Sequence, residues 1–289
     1  MENGYQKEIL IMKIGVVLRA FAREGVSSSV TLEQVGQVFS RTNSLCHDEQ
    51  LRMESYMVDV VIPVNAAHID HDNGKTAKLL GSGLPFHCNF RIFTSQADLF
   101  SGIVNQAMAR QLRDGCTHSL CISSSCASFI TPKNLWALCY ACENGAKAAG
   151  LILPGMEKFI GEGCLTNTFA MWELIPLFTV GGFDMQMANR WKDDARNQYR
   201  MVGEERVPLT GLEIPTIWRL INLFGPCIAP IIPVGDGEWK RPDPEKDLEG
   251  VAREEAKMRS KFVRHIAVAE HFGFDLAEIK AGILPGYPK

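Results

Sequence analysis

Long apolar runs are missing from this chain of 289 residues. The nearest candidate, Leu220–Val234, is interrupted by Asn222, Gly225 and three prolines, and it falls short of the ~18–20 residues a membrane-crossing helix needs. A transmembrane helix is excluded, while contact of this stretch with a membrane surface or another subunit stays open. An excess of basic charge is missing too. Lys+Arg total 30 against 33 Asp+Glu, a net charge of -3, so nucleic acid is not an expected partner, since phosphate binding draws on clustered Lys and Arg. Met1–Gly4 lacks a cationic n-region, and Lys13 interrupts the apolar run Ile9–Leu18, unlike a signal peptide. With nine cysteines, an odd number, free and mostly buried thiols in a reducing cytosol are the expectation. Hydrophobic residues at 46% and charged ones at 22% exclude disordered, collagen-like and coiled-coil classes.

What is present is an alternation of strand-like and helix-like segments. Ile14–Leu18 is wholly apolar, as in a strand buried on both faces. Thr31-Leu32-Glu33-Gln34 reads as an N-cap and acidic first turn opening a helix to about Arg41. Further strands are expected at Val58–Val64, Phe86–Thr94 and Ser119–Ser123, and helices at Gln96–Leu112 and Pro132–Ala149, the last opened by a proline where a first turn tolerates it. This pattern predicts an α/β fold with a mainly parallel, Rossmann-like sheet flanked by helices. In such sheets ligands bind beyond the carboxyl ends of the strands, so residues after Leu18, Val64, Thr94 and Ile122 carry the most information. Gly235–Pro244 reads as a linker, and Leu248–Phe272 as an amphipathic helix with Val251, Met258, Phe262, Ile266 and Ala269 on one stripe. Its acids precede its bases, which suits the helix dipole. The expected organisation is a domain over residues 1–234 and a linker with a C-terminal helical extension over 235–289.

Read in order, the strand-end segments resemble a family. Val16-Val17-Leu18-Arg19-Ala20-Phe21-Ala22-Arg23-Glu24 is similar to the opening strand and loop of inverting glycosyltransferases of the GT-A fold, family 2-like nucleotide-diphospho-sugar transferases. Val60–Asn65 sits where that family has a turn after its second strand. Cys121–Cys126, followed by Ile130–Leu135, resembles its D-x-D and P-x-x-L segments. Asn167–Glu173 and Val180-Gly181-Gly182-Phe183-Asp184 resemble its acceptor-side signature. The last string is the most specific, and the likeness spans roughly residues 13 to 205.

The resemblance implies a GT-A-like domain whose partners are a nucleotide-diphosphate sugar donor and an acceptor. It implies that Phe21, Glu24 and Asn65 grip the nucleotide, with Arg19, Arg23, Ser123 and Ser125 beside the diphosphate. It also implies that Asn167, Trp172 and Asp184 shape the acceptor and sugar side, and that an acid beyond Asp184 is the general base, Asp194 first and Asp193 second. Beside these stand plainer readings: Glu24 as a solvated loop residue, Trp172 as core, and Asp193-Asp194 as a surface pair balanced by Lys192 and Arg196. The departure is at the metal. Two carboxylates in the family hold a divalent Mn or Mg ion against the leaving diphosphate, and this chain has Ser123 and Ser125 there. Either the ion is absent, or Arg19 and Arg23 cover the diphosphate instead, or the domain is a non-catalytic binder of a ligand or partner protein.

Other signals weigh less. Cys139-Tyr140-Ala141-Cys142 has C-x-x-C spacing inside a helix, where buried thiols are the expectation rather than a zinc site. His68-Ile69-Asp70-His71-Asp72 gathers metal-capable side chains in a polar loop, a weaker alternative centre. Gly81-Ser82-Gly83 completes neither a P-loop nor a nucleophile elbow.

Overall fold

The computed structural model describes residues 12–19, 28–45, 58–63, 90–95, 100–152, 169–184, 198–209, 213–234 and 247–288. Its strands are β1 (Ile14–Arg19), β2 (Val58–Pro63), β3 (Phe90–Ser95), β4 (His118–Ser123), β5 (Ala148–Leu151), β6 (Phe169–Glu173), β7 (Tyr199–Val202), β8 (Glu205–Pro208) and β9 (Ile228–Ile231). Seven of them form one sheet in the order β3-β2-β1-β4-β6-β5-β9, and β7 and β8 form a separate hairpin. Within the large sheet β6 runs antiparallel to β4 and β5, and every other pairing is parallel. The α/β class and the mainly parallel, Rossmann-like sheet are therefore as expected.

The strands alternate their side chains between two cores. Ile14, Val16, Leu18, Leu120, Ile122, Phe169 and Met171 enter one, covered by α1 (Ser28–Leu45), a 3₁₀ turn (Ser124–Phe129) and α3 (Pro132–Glu143). Val17, Cys121, Ala170 and Trp172 enter the other. There they meet α2 (Phe100–Arg113), α4 (Leu174–Thr179), α5 (Glu213–Phe224), α6 (Leu248–Phe272) and α7 (Leu276–Ala281). Burying each large aliphatic side chain contributes about 1.5–3 kcal/mol, so strands apolar on both faces anchor the sheet. Helix α6 follows its sequence signals closely. Asp247 caps its first turn by accepting from the Gly250 N–H at 2.8 Å, and Gly273 ends it with φ 76°.

Three expectations change. The helix beginning at Pro132 ends at Glu143, not Ala149, because Asn144 caps it and Gly145 turns the chain with φ 102°. The next residues, Ala148-Ala149-Gly150-Leu151, form β5, a strand with no β-branched residue that is held by burial between β6 and β9. On α6 the buried face is His265, Ala267, Val268 and Ala269, whereas Phe262 is 38% exposed. Of the expected stripe Ala269 is buried and Val251 and Ile266 are half-buried, so Phe262 is the described member that departs from it. Finally, α1 opens at Ser28, ahead of the Thr31 read as its cap, and runs to Leu45 instead of Arg41; Leu220–Val234, broken as its sequence indicates, is the end of α5 followed by edge strand β9. Among the described residues no helix is long and apolar enough to cross a membrane. The Gly235–Pro244 linker lies outside the described residues.

The strand order reverses between β1 and β4: β1 continues to β2 and β3 on one side, while β4 begins the other half. Outside the carboxyl ends of two such strands lies the usual ligand crevice of an open α/β sheet.

Candidate functional site

Arg19 is the last residue of β1 and Ser123 the last of β4, and the two are register partners across the reversal point. By the period of two, both point to the face that carries Val17 and Cys121. Ser123 is 3% exposed. Burial pushes the pKa of the Cys121 thiol up to about 11, while the charge of Arg19 draws it back. Two residues expected from sequence are thus brought together. Ser125 follows in the 3₁₀ turn, and its side chain is outside the described residues.

Glu213, the first residue of α5, joins this edge. Burial raises its carboxyl above the ordinary range, and Arg19, Lys261 and Arg264 oppose that rise. Lys261 and Arg264 come from α6, three positions apart and therefore on one helix face. His265 beside them is 8% exposed, and its pKa is pushed down to about 3, first by burial and then by the two cations. Sequence reasoning missed Glu213, Lys261 and Arg264. On α6 the two bases served only to complement the helix dipole, and the i, i+3 spacing was the available signal.

The Val180–Asp184 string has a packing role that its residues explain. Gly181 and Gly182 take φ 91° and 73°, and a Cβ on Gly182 would sit 2.9 Å from Asn105 Oδ1. Asn105 on α2 accepts from the Phe183 N–H at 2.9 Å and donates to the Phe183 carbonyl at 2.8 Å. Thr216 on α5 donates to the Gly182 carbonyl at 3.0 Å. The turn therefore ties α2, α5 and β6 together, with the Phe183 ring edge-on to Trp172 at 4.9 Å. Asp184 leaves this latch 9% exposed and accepts from Arg219 Nη2 at 2.5 Å.

Trp172 is a correction. It is 0% exposed and lies inside the core, with no ring face open to a sugar, so the plainer reading of this residue is the one the structure shows. Phe21, Arg23, Glu24, Asn65, Asn167, Asp193 and Asp194 lie outside the described residues, as do His68–Asp72 and Gly81–Gly83.

The donor set does not fit a divalent cation. At the D-x-D positions it offers neutral hydroxyls, weak ligands for a hard ion that favours carboxylate oxygen. Among the described residues no three His, Cys, Asp or Glu side chains form a group able to hold a metal. The cysteines of the C-x-x-C pair sit in α3; burial pushes the Cys139 thiol up to about 12 and raises Cys142 further. As protonated thiols they are poor nucleophiles and poor metal ligands.

Two open concavities lie elsewhere. One of about 460 Å³ is lined by Arg91, Gln106, Ala109, Arg110 and Arg113, and one of about 300 Å³ lies between β8 and α6. In the first, Arg91 and Arg110 are already engaged by Asp59 and Asp114. Neither opens at the carboxyl ends of β1 and β4.

No known family model matches the sequence, and no curated protein does. Among solved structures the chain is similar to 4-diphosphocytidyl-2C-methyl-D-erythritol synthase from Anaerococcus prevotii DSM 20548. The two share 8% identity and a TM-score of 0.36 over 84% of this chain and 99% of that one.

Proposed function

We propose that the chain is a nucleotide-sugar-dependent glycosyltransferase of the inverting kind, moving a sugar from a nucleoside diphosphate to an acceptor hydroxyl. One observation carries the reading: Arg19 and Ser123 end adjacent strands in register, facing one way at the reversal point of the sheet. That is where such sheets take nucleotides, and both residues belong to the ordered family-like segments.

In this reading Phe21, Glu24 and Asn65 hold base and ribose, and Arg19, Arg23 and Ser123–Ser125 flank the diphosphate. Asn167 and Asp184 shape the acceptor side. The acceptor oxygen forms a bond to the anomeric carbon as the anomeric C–O bond to phosphate breaks, its electron pair leaving with the diphosphate. The acceptor proton passes to Asp194, or to Asp193. Asp184 is positioned by the glycine latch and by Arg219.

The test is thermal unfolding with uridine, guanosine and cytidine diphosphates, with and without Mn²⁺, followed by turnover of sugar nucleotides. A rise in Tm with at least one nucleotide is expected, and no shift with any of them sinks the proposal. The serines at the D-x-D positions favour a second reading, a non-catalytic GT-A-like domain that binds a ligand or partner. Nucleotide release that depends on an added acceptor removes that rival.

A further inference from the structure

The concavity of about 460 Å³ at the amino edge of the sheet is lined by three arginines and, among the described residues, by no acid. Gln106, Ala109, Arg110 and Arg113 follow the i, i+3, i+4, i+7 spacing of one face of α2. Arg91, the remaining lining residue, lies on edge strand β3 in register with Asp59. It is fixed from behind: its Nε and Nη2 donate to Asp59 at 2.6 and 3.0 Å, and its Nη1 to Asp114 at 2.6 Å. Arg110 gives its Nε to Asp114 at 3.3 Å and keeps the terminal nitrogens of its fork, with a side chain 51% exposed. Arg113 is exposed and pairs with no acid among the described residues. Two acids, Asp59 and Asp114, thus answer three guanidiniums, and a positive charge is left over at the cavity. The carboxyl end of α2 opposes an anion there by only about half a charge. Cations already held in place lose little freedom when a ligand arrives, which favours binding.

The lining also selects the kind of anion. Its one apolar side chain is Ala109, and it holds no ring for a nucleotide base, whereas arginine forks bind phosphate oxygens in pairs. The volume falls within the roughly 300–1,000 Å³ of small-molecule sites. We propose that this concavity is an anion site, separate from the crevice at β1 and β4, that takes a small inorganic polyphosphate such as pyrophosphate. Arg110 and Arg113 hold its oxygens along one face of α2, Arg91 forms the fixed rear wall, and the Gln106 amide adds a donor at the rim. The site does not depend on the nucleotide-sugar reading.

The experiment adds inorganic pyrophosphate in EDTA to the isotope-labelled full chain and follows the amide spectra. The proteins compared are the wild type, Arg110→Gln, Arg113→Gln, Arg113→Lys and, as a control for net charge, Arg200→Gln. Saturable binding to the wild type is expected, with shifts centred on Gln106, Arg110 and Arg113. Each Gln variant on α2 is expected to weaken it about tenfold or more, with part of the loss recovered in Arg113→Lys and none seen in Arg200→Gln. Arg113 is exposed and outside the Asp59 and Asp114 pairs, so its variants keep the test open if Arg110→Gln does not fold. Uridine diphosphate, at the pyrophosphate concentration that saturates, should leave the three α2 amides unmoved. The proposal is overturned by the absence of saturable binding, by shifts centred on Arg19 and Ser123, or by equal weakening in Arg200→Gln. Uridine diphosphate moving the α2 amides as strongly as pyrophosphate overturns it too.

Discussion

At the amino edge of the sheet, charged side chains close on one another. Arg91 on β3 donates to Asp59 on β2 at 2.6 and 3.0 Å and to Asp114 at 2.6 Å, while Gln111 adds a 2.7 Å bond to Asp59. Lys147 and Glu173 pair at 2.7 Å on the same edge. At the carboxyl edge, burial raises the Glu213 carboxyl while Arg19, Lys261 and Arg264 oppose the rise, and Ser123, the register partner of Arg19, is buried. The first edge is a staple in which acid and base answer each other within one bond length. The second assembles groups able to hold an anion. The difference separates residues that keep the sheet from residues that would use it.

Breaking the staple has the largest expected effect. Asp59 is 0% exposed; burial pushes its carboxyl up, and the Arg91 and Gln111 donors pull it back. Asp59→Ala leaves Arg91 its bond to Asp114 and takes the acceptor from the buried Gln111 amide, and it is expected to cost about 3 kcal/mol, a Tm fall on the order of 10 °C. Diphosphate affinity of the folded protein should be unchanged, and a parallel loss of binding would merge the two edges into one site.

The histidines sharpen the contrast by pH. His118 at the amino edge and His265 at the carboxyl edge have pKa values pushed down to about 4 and about 3, chiefly by burial. Both are neutral when folded, while the unfolded chain binds protons near 6.5. Their contribution is complete above that value and is lost as pH falls toward the folded values. Between pH 8 and pH 5 each is expected to remove about 2 kcal/mol of stability. Urea unfolding of His118→Gln and His265→Gln should each flatten the slope, and an unaltered slope in either would remove that histidine from the account.

Much of this fold was legible in sequence, for reasons specific to its parts. Ile14–Leu18 is apolar without interruption, and α6 carries a clear Asp247 cap and a Gly273 stop, so both were plain. Ala148–Leu151 was not, because small residues carry no strand signal and only burial by β6 and β9 makes them one. At the site, Arg19 and Ser123 were identified by position after a strand. Lys261 and Arg264 were not, since what they meet depends on where α6, distant in sequence from Ser123, packs. The glycine string was read for ligand contact, yet its described contacts are to Asn105, Thr216 and Trp172.

Smaller effects test the parts that support the carboxyl edge. Gly182→Ala combines a positive φ with a 2.9 Å approach to Asn105 and is expected to cost about 1.5 kcal/mol by chemical denaturation. A neutral result would show that the latch is slack. Arg200 pairs with Glu270 at 3.0 Å with both side chains more than two-fifths exposed. Arg200→Gln should change stability by only about 0.5 kcal/mol, and a loss several times larger would mean that the hairpin carries load for α6.

The central claim is that the carboxyl edge, not the amino edge, receives a nucleoside diphosphate. Amide spectra of isotope-labelled protein, recorded while uridine or guanosine diphosphate is added in EDTA, test it residue by residue. The account predicts shifts at Arg19, Ser123, Glu213, Lys261 and Arg264, with Asp59, Arg91, Asp114 and Lys147 unmoved. Shifts centred on those four amino-edge residues, or no shift anywhere at saturating nucleotide, would contradict it.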